Sequence, residues 1–253
     1  MALSTRRDFL YLAAAASVGC VARGVDAPTP GGAAPVVRPA AVGQSWRYAK
    51  HDYITGQVVD TQIDQVSKIG QSVEVESRSE TAEERPVTYP SWGESSWQKY
   101  MPAGAARIGG PIEVQSPWGT VAIDPHWSEM QAFEKPIPLW PSELRPGWST
   151  VVSTYYKIPG SEEAMPWQQT MHAQRWESVT VPAGHFMALR FYNIINFRFS
   201  VFAERTAARR IEHLWFAPEI GRWVMRESVG TYREQLRTDV NESNYRWKLL
   251  SWT

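Results

Sequence analysis

Gly147-Trp148-Ser149-Thr150-Val151-Val152-Ser153-Thr154-Tyr155-Tyr156 decides the fold class. Trp148, Thr150, Val152, Thr154 and Tyr156 fall on one side of an extended chain, the two-residue period of a strand with one face toward a core. Pro159-Gly160 then turns the chain, and Trp167, Gln169, Met171 and Ala173 share a face on the next strand. Val179-Thr180-Val181 leads into the turn Pro182-Ala183-Gly184. Beyond it His185, Met187, Leu189 and Phe191 continue one face, and after a break at Asn193 to Asn196 that face is extended by Phe197, Phe199 and Val201. Ile211 to Phe216, Arg222 to Val229, Tyr232 to Val240 and Tyr245 to Trp252 complete the set, with the last hairpin turn at Asn241 to Asn244. No segment holds a 3.6-residue period over three turns.

Moving toward the N-terminus, the same period recurs. Trp46 and Tyr48 alternate with Arg47, and Thr55-Gly56 supplies a turn. Val59, Thr61, Ile63 and Gln65 alternate with Asp60, Gln62 and Asp64, and after Ile69-Gly70 Val73 and Val75 alternate with Glu74 and Glu76. Alternation of this kind predicts a three-stranded antiparallel meander with one face in solvent. Between Pro86 and Pro166 lie 12 of the 18 prolines, which withhold ladder donors. That stretch predicts irregular connections with one or two short strands, Pro117 to Ile123 foremost, and a helical turn at Ser95 to Tyr100. The expected fold is all-β: a curved antiparallel sheet or incomplete barrel with long proline-rich connections and little helix. Gly43-x-x-Trp46 and Gly147-Trp148 each open a strand–turn–strand, so residues 42–253 read as one β domain that can be divided into related halves, 42–140 and 141–253.

The first twenty residues carry an address. Arg6 and Arg7 precede a short apolar run, Leu10 to Val18, too short for the roughly 20 residues that cross a bilayer. Thr5-Arg6-Arg7-Asp8-Phe9-Leu10 resembles the twin-arginine export signals of bacteria, with Tyr11 in place of their usual lysine. Ser17-Val18-Gly19-Cys20 resembles a lipobox, which implies that Cys20 receives a diacylglycerol and becomes the mature N-terminus. Cys20 is the single cysteine, so it has no intrachain partner in an oxidising compartment. The alternatives are a general secretory signal and cleavage after Ala22 with Cys20 discarded. Residues 21–41 hold Pro28, Pro30, Pro35 and Pro39 with Gly31 and Gly32 and read as a disordered tether between anchor and domain.

A second resemblance covers mainly residues 147–253. Val179-Thr-Val-Pro-Ala-Gly-His-Phe186, Trp215-Phe-Ala-Pro-Glu-Ile-Gly221 and the opening Gly43-x-x-Trp46-x-Tyr48 are similar to segments of bacterial envelope β-domains. Their sheets resemble the half-barrels of the lipoprotein-localisation factors. These motifs place turns and strand entries, and they transfer no catalytic residue.

Composition narrows the function. Without the first 20 residues 24 basic and 25 acidic side chains remain, which gives no electrostatic footprint for nucleic acid and no polybasic patch for anionic lipid. Thiol catalysis has no cysteine in the mature domain, and a Gly-x-Ser-x-Gly elbow is absent. Asp124-Pro125-His126-Trp127-Ser128-Glu129 holds three donor types, yet a structural metal site normally needs four ligands and Pro125 keeps the three off one helical face; a polar loop is expected there, with no metal and no cofactor. Glu113, Asp124 and Glu129 are candidates for a carboxylate pair, and Arg209-Arg210 reads as a solvated loop face. Gly104 to Gly110 lacks the Lys-Ser/Thr of a phosphate loop. The 13 tryptophans either plug the sheet or line a groove. Together these features predict a periplasmic, membrane-anchored envelope lipoprotein that binds an apolar small molecule or an envelope protein without catalysis, with Trp148, Trp167, Met171, Met187, Leu189 and Phe191 as concave-face candidates. The rival expectations are an enzyme of envelope glycans or lipids working through loop carboxylates or histidines, and a purely structural interaction protein.

Overall fold

A computed structural model of the chain describes residues 35–80, 86–88, 106–108, 112–125, 130–158, 161–198, 205–234 and 238–253. The N-terminal signal, most of the tether, His126 to Glu129, the helical turn expected at Ser95 to Tyr100, Phe199 and Val201 lie outside the described residues.

Strands β1 (Ser45–Asp52), β2 (Val58–Ile69) and β3 (Val73–Ser79) form the expected meander. The middle stretch contributes β4 (Pro86–Thr88), β5 (Ala106–Ile108), β6 (Ile112–Gln115), β7 (Thr120–Asp124) and β8 (Gln131–Pro138). It therefore holds five short strands rather than one or two, of 3–8 residues each; β4 opens on Pro86, and β8 carries Pro136 and Pro138. Long strands follow: β9 (Ser149–Lys157), β10 (Met165–Val181), β11 (Gly184–Phe197), β12 (Arg205–Ala217), β13 (Arg222–Glu234) and β14 (Thr238–Trp252). Among the described residues the helical content is one 3-10 turn, Pro218–Ile220, closed by Gly221 in the left-handed region.

The sheet is antiparallel throughout and closed. Twelve strands run in the order β1-β14-β13-β12-β11-β10-β9-β8-β7-β6-β3-β2 and return to β1, while β4 and β5 pair separately. The expected incomplete barrel is thus corrected to a full one. Closure is made by β1, whose Trp46 faces Asp64 on one side and Trp252 on the other. Register shifts recur around the barrel, and each bulge adds the local bend and twist that closure needs. Strands from both stretches, 42–140 and 141–253, close this one barrel.

Three further expectations change. β11 runs unbroken through Asn193 to Asn196, because Asn193, buried, still pairs with Met171 and Glu212. Asn241 to Asn244 lies inside β14, where Asn241 pairs with Thr231, and the β13–β14 ladder continues to the pair Glu234–Thr238. β2 is inverted: Asp64 is fully buried and Val59 is exposed, so the polar row Asp60, Gln62, Asp64 faces the barrel's interior rather than water. The reason is a partner in the same interior, Arg222.

The interior is packed in two aromatic layers. One gathers Trp46, Tyr48, Trp140, Met171, Leu189, Phe191, Phe216 and Trp223 at the end where β1 begins and β14 finishes. Tyr48 stacks on Trp223 at 3.9 Å and Trp140 on Phe216 at 4.8 Å. The other gathers Phe133, Tyr156, Trp167, Ile195 and Phe197 toward the opposite end. Gly119 (φ +91°) admits the indole of Trp140, which lies 2.5 Å from where a Cβ would stand. No larger residue fits there.

Candidate functional site

Between the aromatic layers lies a belt of buried ionic groups. Arg222 of β13 reaches Asp64 of β2 at 2.9 Å and Glu113 of β6 at 3.3 Å, all three nearly inaccessible. Ser77 and Gln62 donate to the same Asp64 oxygen at 2.6 and 2.7 Å, and Gln115 donates to Glu113 at 2.6 Å. Burial opposes the charge on Arg222, yet Glu113 and Asp64 outweigh it and hold the guanidinium protonated more firmly than usual. Arg226 behaves alike: burial acts against it and Glu212, at 2.5 Å, prevails. The Tyr48 hydroxyl, pushed well up by burial, donates to the Trp223 carbonyl at 2.9 Å. Glu113, Asp124, Glu212, Arg222 and Arg226 line a cavity of about 50 Å³. That volume suits a few waters, against the 300–1,000 Å³ of a ligand pocket.

The chemistry open to this belt is structural. A general acid or nucleophile must meet its substrate, whereas Glu113 and Glu212 are locked on arginines in a space too small for a sugar or an acyl chain. Arg210, expected on a solvated loop face, is a buried residue of β12 because the even positions of that strand point inward. Arg209 beside it is exposed. His172 and His213 flank Tyr192 across three strands, at ring separations of 5.4 and 6.2 Å. His51 contacts the Gly56 carbonyl and His185 the Thr180 hydroxyl, both local. Among the described residues no three His, Cys, Asp or Glu side chains gather as a metal site.

The six concave-face candidates divide. Trp167, Met171, Leu189 and Phe191 are buried inside the barrel, Trp167 in one layer and the other three in the second. Trp148 is half-buried against the layer that holds Met171, and its carbonyl accepts from Ala173 N–H at 2.9 Å. Met187 is the exception at 40% exposed. Its strand changes buried sides between Ala188 and Leu189, next to the point where Arg190 and Phe191 face a register shift between Ala173 and Arg175 of β10. The bulge twists the hairpin beyond it; Val179, Val181, Phe186 and Ala188 turn inward there, and the tip is fixed by Ala183 N–H to the Leu249 carbonyl at 3.1 Å.

A concavity of ligand size, about 690 Å³, opens where β8 and β9 part. Those strands pair through Ala132 with Lys157 and Phe133 with Tyr156. Past that point Pro136 and Pro138 have no N–H to give. Side chains bridge the gap instead: the Thr154 hydroxyl accepts from Lys135 N–H at 2.9 Å, and Gln169 donates to the Pro138 carbonyl at 3.1 Å. Tyr155, Trp167 and Phe197 give the groove apolar surface, while Glu134, Lys135 and Arg198 give it charge. Tyr156, whose hydroxyl donates to the Arg198 carbonyl, stands edge-on to Trp167 at 6.0 Å. Of these residues the sequence reading had singled out Trp167. The signal it passed over was the pair of prolines inside an otherwise strand-like run, which marks a seam.

No protein-family model matches the chain, and no curated protein matches it. Among solved structures, a "putative lipoprotein" from Parabacteroides distasonis ATCC 8503 is 14% identical over 87% of this chain and 99% of its own, with a TM-score of 0.49. A "putative exported protein with YmcC-like fold" from Bacteroides fragilis NCTC 9343 is 12% identical over the same shares, with a TM-score of 0.46.

Proposed function

We propose that the chain is an exported lipoprotein of the bacterial cell envelope, held on a membrane through Cys20, that works by binding and not by catalysis. The export and anchor assignments rest on Arg6, Arg7, Phe9, Leu10 and Cys20. The binding assignment rests on one observation: among the described residues the barrel interior is filled with aromatic and ion-paired side chains, whereas a ligand-sized space lies in the groove at the β8–β9 seam. The groove combines Tyr155, exposed, with the edges of Trp167 and Phe197, a surface suited to an apolar small molecule or to an apolar segment of an envelope protein.

An environment-sensitive apolar dye titrated onto the folded protein tests this. One saturable site is expected, with tryptophan emission quenched through Trp167. Tyr155→Ala, at a half-exposed position that the fold does not need, should weaken dye binding about tenfold, the equivalent of about 1.4 kcal/mol. Absence of saturable binding by natively folded protein removes the groove from the proposal and leaves a purely structural role.

A further inference from the structure

Exposed apolar side chains gather at both ends of the barrel, and four of them stand where the described chain begins. Val36 is 87% exposed, Val42 65%, Ile69 43% and Trp252 36%. They come from the entering segment, the end of β2 and the end of β14, and the fold holds them together. Arg38 N–H donates to the Pro218 carbonyl at 2.8 Å, and the Arg38 guanidinium lies 5.0 Å from the centre of the Trp252 ring. Trp118 Nε1 donates to the Arg38 carbonyl at 3.2 Å, and Gly43 N–H to the Val66 carbonyl at 2.9 Å. A tryptophan with an arginine over its face, beside aliphatic side chains, is the composition of a membrane–water interface.

We infer that this end of the barrel rests on the bilayer, with Val36, Val42, Ile69 and Trp252 at headgroup depth. The inference rests on the lipid-anchor reading above and adds a definite orientation to it. Chain length supports the choice of end. Val21 to Ala34 is 14 residues, which as a coil of their composition reach about 20 Å. The 13–17-residue strands β10 to β14 run about 40–55 Å along their own axes at roughly 3.3 Å per residue. An anchored chain therefore brings this end to the lipid without stretching, and the far end only when drawn beyond that coil reach. Charge does not contribute. Arg38, Lys68 and Arg145 at this end are balanced by Glu74, Glu143 and Glu219, with Lys68 on Glu74 at 2.8 Å and Arg145 on Glu143 at 2.7 Å. The surface fits a bilayer of either headgroup charge. The opposite end presents a comparable set, Tyr53, Ile54, Val58 and Val59 with Arg246 5.1 Å from the Tyr53 ring; the point at which the tether enters makes the choice, and that set then faces away from the membrane.

Site-directed labelling tests the orientation. Acylation consumes the thiol of the single cysteine, so Val42→Cys, Ile69→Cys or Ile54→Cys each adds the one free thiol for a polarity-sensitive fluorophore. On vesicles of zwitterionic phospholipid, labels at 42 and 69 should shift to the blue. They should be quenched by iodide about threefold less than the label at 54, as partial burial in the interface requires. Adding anionic phospholipid should change these values less than about twofold. Protection at 54 with free labels at 42 and 69 overturns the inference, as does equal accessibility of all three. Failure of the anchor itself is read separately, from the mass of the purified protein. In that event the Cys20→Ala chain, held on nickel-chelating vesicles by a histidine tag inserted after position 20, gives the same orientation readout with the same opposing outcomes.

Discussion

Replacing Arg222 by methionine should be among the most damaging single changes to this barrel. Its guanidinium stands 2.9 Å from Asp64 and 3.3 Å from Glu113, with all three side chains at 3% exposure or less. At an effective dielectric of about 20, each contact is worth roughly 5–6 kcal/mol of gross Coulomb attraction. Most of that is offset by the cost of drying the three groups. The offset does not return when the arginine alone is removed, because both carboxylates stay buried and now face each other. Breaking one buried pair typically costs about 3–5 kcal/mol, and two carboxylates losing their arginine at once place Arg222→Met at the upper end. For a domain of this size that is about 10–20 °C in Tm. The triple variant Arg222→Met, Asp64→Asn, Glu113→Gln removes the charges but keeps acceptor oxygens for Ser77, Gln62 and Gln115. It should return to within about 2 kcal/mol of wild type, since a neutral buried cluster avoids the desolvation cost. Urea unfolding followed by tryptophan fluorescence gives all three free energies. A single-variant loss below about 1 kcal/mol, or a triple variant less stable than the single one, would refute the argument that uncompensated charge sets the cost.

Other positions separate steric from conformational effects. Gly119→Ala places a Cβ against the Trp140 ring at positive φ and should cost about 3 kcal/mol or more, while Gly147→Ala, also at positive φ but in open space, should cost about 1–2 kcal/mol in the same unfolding assay. His213 has a lowered pKa, through burial first and the nearby Arg190 second. Its neutral form is the one the fold prefers, so stability is fully present above pH 6.5, the ordinary histidine value, and declines as pH falls toward the lowered folded value. His213→Gln should flatten the wild-type stability curve between pH 5 and 7; an unchanged slope assigns that dependence elsewhere. Arg6→Lys with Arg7→Lys should hold the precursor in the cytoplasm, and normal export of that double variant, seen by cell fractionation, points to the general secretory path.

Local patterning was legible wherever a strand had one apolar face. β1, β9 and the first half of β10 follow from period two alone; β3 does so for Val73 and Val75, while Glu74 between them is buried rather than solvent-facing. β2 was read with its faces reversed, because Asp60, Gln62 and Asp64 look like solvent-facing residues until Arg222, far along the chain, is placed opposite them. In β11, His185 and Met187 were read on the same face as Leu189 and Phe191 because the bulge that turns the hairpin lies in the partner strand. Closure was illegible for the same reason: β1 carries no local mark that Trp46 will pair with Trp252. At the candidate site the tryptophan was found and the groove was not. The groove exists because two proline-bearing residues of β8 fail to bond, and that is a property of neighbouring strands rather than of either strand read alone.

The short β8–β9 ladder also settles what kind of barrel this is. Cut at that seam, the sheet opens into twelve strands with β8 at one margin and β9 at the other, two segments that are consecutive in the chain. The barrel is therefore a single curled ribbon whose two margins meet and are held by two residue pairs, one threonine hydroxyl and one glutamine amide. Prolines at one margin keep it from templating a foreign strand if the ribbon relaxes. Opening at this line needs no other ladder to break, so the amide that β9 donates across to β8 should exchange ahead of the amides it donates to β10.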